Sequence, residues 1–402
     1  MKLNRNFSLL LSGQSLANIG DVLYMVSVIS AIFDLTGSAT AASIVPFTIT
    51  SSMFVSSLLT PLLIGKVNIK WLLAGSQTGK TILLVILGVM LIGITSSNYF
   101  LIFFMIGLIA FLDGCANPIR QTLIPHYVKP EDLVHANGMV EAVTQVIQAV
   151  MWFVGSLFLM FLSSQQLIWL VGGIFVLSSI LLCLLENVNH QTTKPKGRVE
   201  QLREGWKTLF NTPVLRRIAW IDFFETMAGT VWIAAILYVF VSDALHVDEN
   251  WWGFINGAYF LGLIIGSIYC IKYSSFIEKR MGSLIFIGAF ASFLVTVVFS
   301  LNSIPVLALL LSLCVGIFGQ IKNIPQQTVI QTSVPKEQLS TVYTSLGAIG
   351  TGVFGVGSLI MGIVADLLGI KIVFLISGLL LAVVSIIVHK SKQLFVRNVY
   401  GQ

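Results

Sequence analysis

The sequence predicts an all-α membrane protein of twelve transmembrane helices in two pseudo-symmetric six-helix bundles, and three observations carry that prediction. The first is composition: 402 residues with a mean hydropathy of +0.92, 56% of them hydrophobic and 10% charged. Soluble domains carry roughly a quarter of charged residues, so water is not the main solvent of this chain. The second is an asymmetry of Lys and Arg between alternate loops, and the third is an internal repeat.

A bilayer-spanning helix needs about 20 apolar residues. Such stretches run over 7–34, 41–65, 71–95, 98–121, 136–163 and 166–185, and a second series covers 217–243, 250–274, 281–301, 303–321, 340–367 and 370–388. They predict an N-terminal bundle over 1–186, a cytoplasmic linker over 187–216 and a C-terminal bundle over 217–402. Within the linker Val199, Leu202, Trp206, Leu209 and Phe210 recur at helical spacing beneath a basic face. That is the pattern of a helix lying on a membrane surface, as a tether or as a regulatory element.

With the N-terminus in the cytoplasm, the loops and helix ends on that side collect Lys66, Lys70, Arg120, Lys129, Arg203, Lys207, Arg216, Arg217, Lys272, Lys279, Arg280, Lys322, Lys336 and Lys390. The opposite loops LTGSAT, TSSN, SSQQ and SDALHVDEN contain no Lys or Arg, and Lys371 alone breaks the pattern. This positive-inside bias sets orientation during insertion and places both termini in the cytoplasm. The net charge of +6 therefore orients the chain and does not point to nucleic acid. MKLNRN runs into an apolar helix without a small-residue cleavage site, so the first helix is expected to be retained.

The halves read as repeats. Aligning NPIRQTLIPHYVKPEDL from Asn117 with NIPQQTVIQTSVPKEQL from Asn323 matches seven of seventeen positions without gaps, at the end of the fourth helix of each half. Parallel six-helix repeats form an architecture in which a midplane site lies between the halves.

An ionisable group in hydrocarbon costs roughly 2.5 to 3.5 kcal/mol on insertion scales and should face a partner or a wet cavity. Gln14, Asn18, Asp21 and Met25 follow i, i+4, i+7, i+11 spacing on one face of the first helix; Glu141, Gln145, Gln148 and Trp152 repeat the device in the fifth, and Asp222, Glu225, Gly229 and Trp232 in the seventh. Lys80 in the third helix and Asp113 in the fourth lie at similar depth, which predicts a Lys80–Asp113 ion pair or the pairing of either with Asp21. Desolvation favours a neutral carboxyl and a nearby cation a charged one. Acids whose hydration changes between inward-open and outward-open states would thus load and release protons, and Asp21, Asp222, Glu225 and Glu141 are the candidates. Glu141 has the alternative of pairing Arg120. Tyr24, Met25, Trp152 and Trp232 would add an adaptable apolar wall for an amphipathic or cationic ligand.

Other signals are set aside. AGSQTGKT (Ala74 to Thr81) approaches a phosphate-binding loop, but Ala74 holds the place of its first Gly and the segment lies inside an apolar span. The five histidines and four cysteines lack metal-ligand spacing, so neither metal nor other cofactor is expected. No nucleophile, base and orienting group assemble into an enzyme site.

GQSLANIGDVLY (Gly13 to Tyr24) followed by LTGSATA, the NPIRQTLIPHYVKPEDLVHANGM stretch, LREGWKTLFNTPVLRR, QTSVPKEQLSTVYTS and GIVADLLG together resemble the major facilitator superfamily. Within it they are similar to the bacterial drug-exporter branch that includes macrolide-efflux proteins. The resemblance spans nearly the whole chain and implies the major facilitator fold, a rocker-switch cycle and efflux by proton exchange in a bacterial plasma membrane. The Asp-Arg pair usual in the loop between helices two and three is replaced by Gly65 and Lys66, so these two residues, with Arg120, are the candidate gate. Gln77 and Lys80 stand where the family commonly has Asp and Arg, and the Gly-Pro of the antiporter motif is missing around Gly155 and Ser156.

The expected function is export of an amphipathic small molecule, such as a drug, peptide antibiotic or metallophore, by proton antiport. Its expected partners are the substrate, protons and membrane lipid, with the protein acting as a monomer. The alternatives are a lipid or lysolipid transporter, a proton-coupled uptake symporter, and a non-transporting scaffold or sensor.

Overall fold

The computed structural model describes residues 4–36, 39–64, 66–93, 99–188, 198–232, 234–248 and 250–395. The first half comprises α1 (Arg5–Thr36), α2 (Ala39–Leu59), α3 (Ile69–Met90), α4 (Phe100–Tyr127), α5 (Leu133–Phe158) and α6 (Ser164–Cys183). After α7 (Arg198–Asn211), the second half comprises α8 (Pro213–Gly229), α9 (Ala234–Asp243), α10 (Asn250–Lys272), the short α11 (Ser274–Lys279), α12 (Met281–Leu301), α13 (Pro305–Thr332), α14 (Lys336–Leu368) and α15 (Ile370–Ser391).

Local chemistry sets the boundaries. The Asn68 side chain accepts from Lys70 N at 3.1 Å and donates to Val188 O at 2.7 Å, so it starts α3 while tying it to the end of the half. Ser163 and Gln166 form a reciprocal capping box at α6. Pro213 and Pro305 open α8 and α13, where a missing N–H costs nothing. Gly369, at φ +88, makes the corner between α14 and α15.

Among the described residues, ten helices are long and apolar enough to cross a bilayer, and the bent pair α8–α9 makes an eleventh. The twelfth expected position is that of α5, a 26-residue helix packed against α1 and α10 whose Asn137 and Glu141 hydrogen-bond to the other half. Two further departures matter for function. The seventh span is not continuous: α8 passes into a 3-10 turn at Thr230–Trp232, and the segments Pro213–Trp232 and Ile236–Asp243 are bent by 50° from each other. The fourth helix of each half also runs on past the apolar stretch, to Tyr127 and Thr332, and the added turns are buried in protein.

Burial separates the halves. One core, around Phe7, Leu73 and Leu123, and another, around Val28, Leu84 and Phe175, draw only on residues before 189. The cores around Ile218, Ile285 and Val342 and around Phe240, Phe299 and Phe374 belong to the second half, apart from Val134 and Leu209 of α7. The halves meet mainly through α2 and α4 against α14, and α5 against α10 and α13.

Glycines set the closest approaches inside the second half. A Cβ on Gly262 of α10 would lie 2.1 Å from Leu313 O of α13, and one on Gly316 of α13 would lie 2.4 Å from Tyr259 O. Backbone cannot yield as a flexible side chain does. Gly262→Leu is therefore expected to lower stability by about 1–3 kcal/mol or more through overpacking, read as a drop in melting temperature in detergent. Gly253→Ala, where nothing lies within 4 Å, should leave the melt unchanged.

Candidate functional site

Lys80 organises the interior of the first half. Its Nζ lies 2.7 Å from Asp21 Oδ1 on α1 and 2.7 Å from Asp113 Oδ1 on α4, so both alternatives read from the sequence are realised at once. The lysine is 1% exposed, and its ammonium also sits 5.1 Å from the centre of the Phe175 ring. Gly20 makes this arrangement fit, because a Cβ there would come within 2.3 Å of Phe175. One cation serves two carboxylates, each still about a third exposed.

The second half repeats the ratio with different placement. Asp222 and Glu225 lie one turn apart on α8, and Lys322 of α13 forms an ion pair with Glu225. Lys322 Nζ also donates to Gln326 Oε1 at 3.2 Å, and Gln326 Nε2 donates to Asp222 Oδ1 at 2.7 Å. The lysine is 2% exposed. This corrects the sequence reading, which placed Lys322 at the cytoplasmic end of its helix: α13 continues ten residues beyond it. The missed signal is a polar stripe, with Gln320, Asn323, Gln327 and Gln331 at i, i+3, i+7, i+11 and Lys322 and Gln326 four apart.

Among the described residues, two cavities between the halves hold carboxylates. The first, about 310 Å³, is lined by Glu141 and Gln145 of α5, Glu225 of α8, Tyr259 of α10 and Gln320 and Asn323 of α13. Glu141 Oε2 accepts from Gln145 Nε2 at 3.3 Å and from Gln320 Nε2 at 3.4 Å. These amides, rather than Arg120, are its hydrogen-bond donors, and Arg120 Nε is buried without a hydrogen-bond partner. The second cavity, about 260 Å³, places Asp222 among Asn117 and Gln121 of α4, Ser57 of α2, Gln327 of α13 and Tyr343 and Thr351 of α14.

Below the cavities, toward the basic face, side chains bind the halves together. Asn137 Nδ2 donates to Thr328 Oγ1 at 3.0 Å and to Gln331 Oε1 at 2.8 Å, and Gln331 Nε2 reaches Asn137 Oδ1 at 3.1 Å and Gln121 O at 3.4 Å. Nothing in the sequence reading marked Asn137 or Gln331.

The remaining candidates scatter. Gln14, Asn18, Met25 and Gln148 are half-buried and line neither cavity. Tyr24 belongs to the first half's core, 4% exposed, with its hydroxyl unpartnered. Trp232 is not a free cavity wall either. It stacks on Tyr259 at 6.1 Å and packs against Phe299 at 4.9 Å and Phe374 at 5.5 Å, stiffening the break between α8 and α9. Gly229 closes α8 at that break. Lys66 is exposed in the turn between α2 and α3; Gly65 and the side chain of Trp152 lie outside the described residues.

Removing one partner of a buried pair leaves an uncompensated charge and costs about 3–5 kcal/mol. Lys80→Ala is therefore expected to depress the melting temperature and the yield of folded protein sharply. Combining it with Asp21→Asn and Asp113→Asn should recover much of the loss, as followed by size-exclusion chromatography and thermal melts. A single variant as stable as the wild type would remove the triad from the account of the fold.

Comparison with known proteins bears on what such a frame does. The family model of the Major Facilitator Superfamily matches residues 10–232 and again 223–393. YfmI of Bacillus subtilis (strain 168), described as an uncharacterized MFS-type transporter, is 30% identical over 96% of both chains. The multidrug efflux pump Tap of Mycolicibacterium fortuitum is 23% identical over 76% of each. Among solved structures, FucP, the E. coli fucose:proton symporter, in the outward conformation superposes with a TM-score of 0.77 at 15% identity, over 96% of this chain and 98% of that one.

Proposed function

Because the chain belongs to the major facilitator superfamily and is a multi-pass membrane transporter of small molecules, we propose that it exports an amphipathic substrate by exchange with protons. The observation that carries this reading is the pair of cavities between the halves, each holding carboxylates and amides beside apolar walls. Acids embedded in hydrocarbon persist where they pair with each other's cations or meet water, and they mark proton and substrate routes.

In this reading the basic face is cytoplasmic and is held shut by Asn137, Thr328, Gln331 and Gln121. The protein is then outward-facing, the state named for the FucP structure it resembles. Glu141 and Asp222 are the acids that exchange protons, because the first has amide donors and the second a single Gln donor, with no cation hydrogen-bonded to either among the described residues. Asp21 and Asp113 with Lys80, and Glu225 with Lys322, hold the helices that shape the cavities. Proton arrival at Glu141 or Asp222 removes a charge from a cavity wall, which weakens its hold on a cationic or amphipathic ligand. Departure of the proton on the other side resets the site. The relationship to the Tap efflux pump supports outward transport.

The test uses everted membrane vesicles energised by an imposed pH gradient and a panel of fluorescent amphipathic compounds. Wild-type vesicles are expected to accumulate at least one compound and to lose it when the gradient is collapsed, and Glu141→Gln and Asp222→Asn to abolish the gradient dependence while still binding ligand. Transport that runs only in the opposite sense would make the protein a symporter. Gradient-driven accumulation untouched by either substitution would end the role given to these acids.

A further inference from the structure

Away from the cavities between the halves, a crevice of about 670 Å³ opens between α7, α8 and α14, within the range of ligand sites. Its walls are almost wholly apolar: Trp206 and Phe210 from α7, Trp220 and Phe223 from α8, Val356 and Ile360 from α14. Several of these side chains are outward-facing, with Trp220 47% and Val356 60% exposed. In a transmembrane bundle such a surface meets hydrocarbon. The roof is firmly seated, because a Cβ on Gly205 of α7 would lie 2.4 Å from Thr341 O of α14.

The mouth is basic. Arg203 and Lys207 are exposed on α7, within a turn of Trp206, and Arg216 and Arg217 are exposed at the start of α8, one turn before Ala219 and Trp220 of the crevice. Cations at the level where an amphipathic helix meets the bilayer attract anionic headgroups, each contributing about 1 kcal/mol. An apolar slot edged by two helices that each carry exposed cations matches one occupant.

We propose that this crevice is a binding site for a single anionic phospholipid, with an acyl chain between α8 and α14 and its phosphate held by Lys207, Arg203, Arg216 and Arg217. Because α7 also touches the turn after α2, such a lipid would clamp the linker helix on the second half at the seam that must open when the basic face parts. The inference stands whatever the transported substrate is.

The experiment is native mass spectrometry of the full chain released from nanodiscs containing equal parts of phosphatidylglycerol and phosphatidylcholine with identical acyl chains. The wild type is expected to retain one phosphatidylglycerol in preference to phosphatidylcholine. The double variant Lys207→Gln, Arg217→Gln should weaken retention about thirtyfold, from the loss of two surface cations. Val356→Trp, which fills the crevice without altering charge, should abolish retention; Ile360→Trp serves as a second filling variant, and melting curves confirm folding. Equal retention of both lipids by the wild type, or wild-type retention by a folded charge or filling variant, overturns the proposal.

Discussion

A charge taken out of water has to find a partner, and that requirement organises the interior of this protein. Lys80 reaches across to α1 and α4 and holds Asp21 and Asp113 at 2.7 Å each, while Lys322 holds α13 to α8 through Glu225. Helices that would otherwise slide against one another in a uniformly apolar bundle acquire a register from these pairs. Buried pairs contribute little net stability relative to a well-packed apolar core. Their weight lies in specifying which helices meet and at what depth.

The proposed working surface is built from two acids outside those pairs. Glu141 and Asp222 face cavities whose walls come from both halves, and each is held by amides. An amide donor, unlike a lysine, brings no charge of its own to the wall it shares with a carboxylate. The amide network around Asn137 and Gln331 has a related property: neutral hydrogen bonds between halves are exchanged for water at small net cost, about 0.5–1.5 kcal/mol each. A seal built this way can part. Among the described contacts, ion pairs lie within each half and amide hydrogen bonds join the two, a division suited to two rigid bodies that rock against each other.

Much of the fold was legible because hydropathy and charge report directly on the bilayer. The helices, the basic face and the amphipathic α7 all follow from residue types at a known period. The Lys80–Asp113 contact was legible for the same reason, since two charges in apolar helices at matching depth have few alternatives. Lys322 was misplaced because a run such as GQIKNIPQQTVIQT looks like the end of a span to a hydropathy reading, yet it is a helix whose polar face is covered by protein. The same blindness hid Asn137 and Gln331. Tyr24 and Trp232 could not be placed for a different reason: an aromatic beside an acid in sequence points along a helix by its own rotamer, and one lies in the first half's core while the other packs at the break before α9. Glu141 was found by its period, but its partners on α13 could not be read, because they depend on how the two halves are set against each other.

The central claim is that the two halves part at the basic face and bring Glu141 and Asp222 to alternate sides. Spin labels placed at the exposed positions 129 and 272, one on each half, in a chain with its native cysteines replaced, measure this directly by double electron–electron resonance in liposomes. The account predicts two distance populations, with the longer gaining at the expense of the shorter when Asn137→Ala breaks the seal and when pH or substrate is varied. One distance distribution, unchanged by pH, by substrate and by the Asn137 substitution, would contradict it.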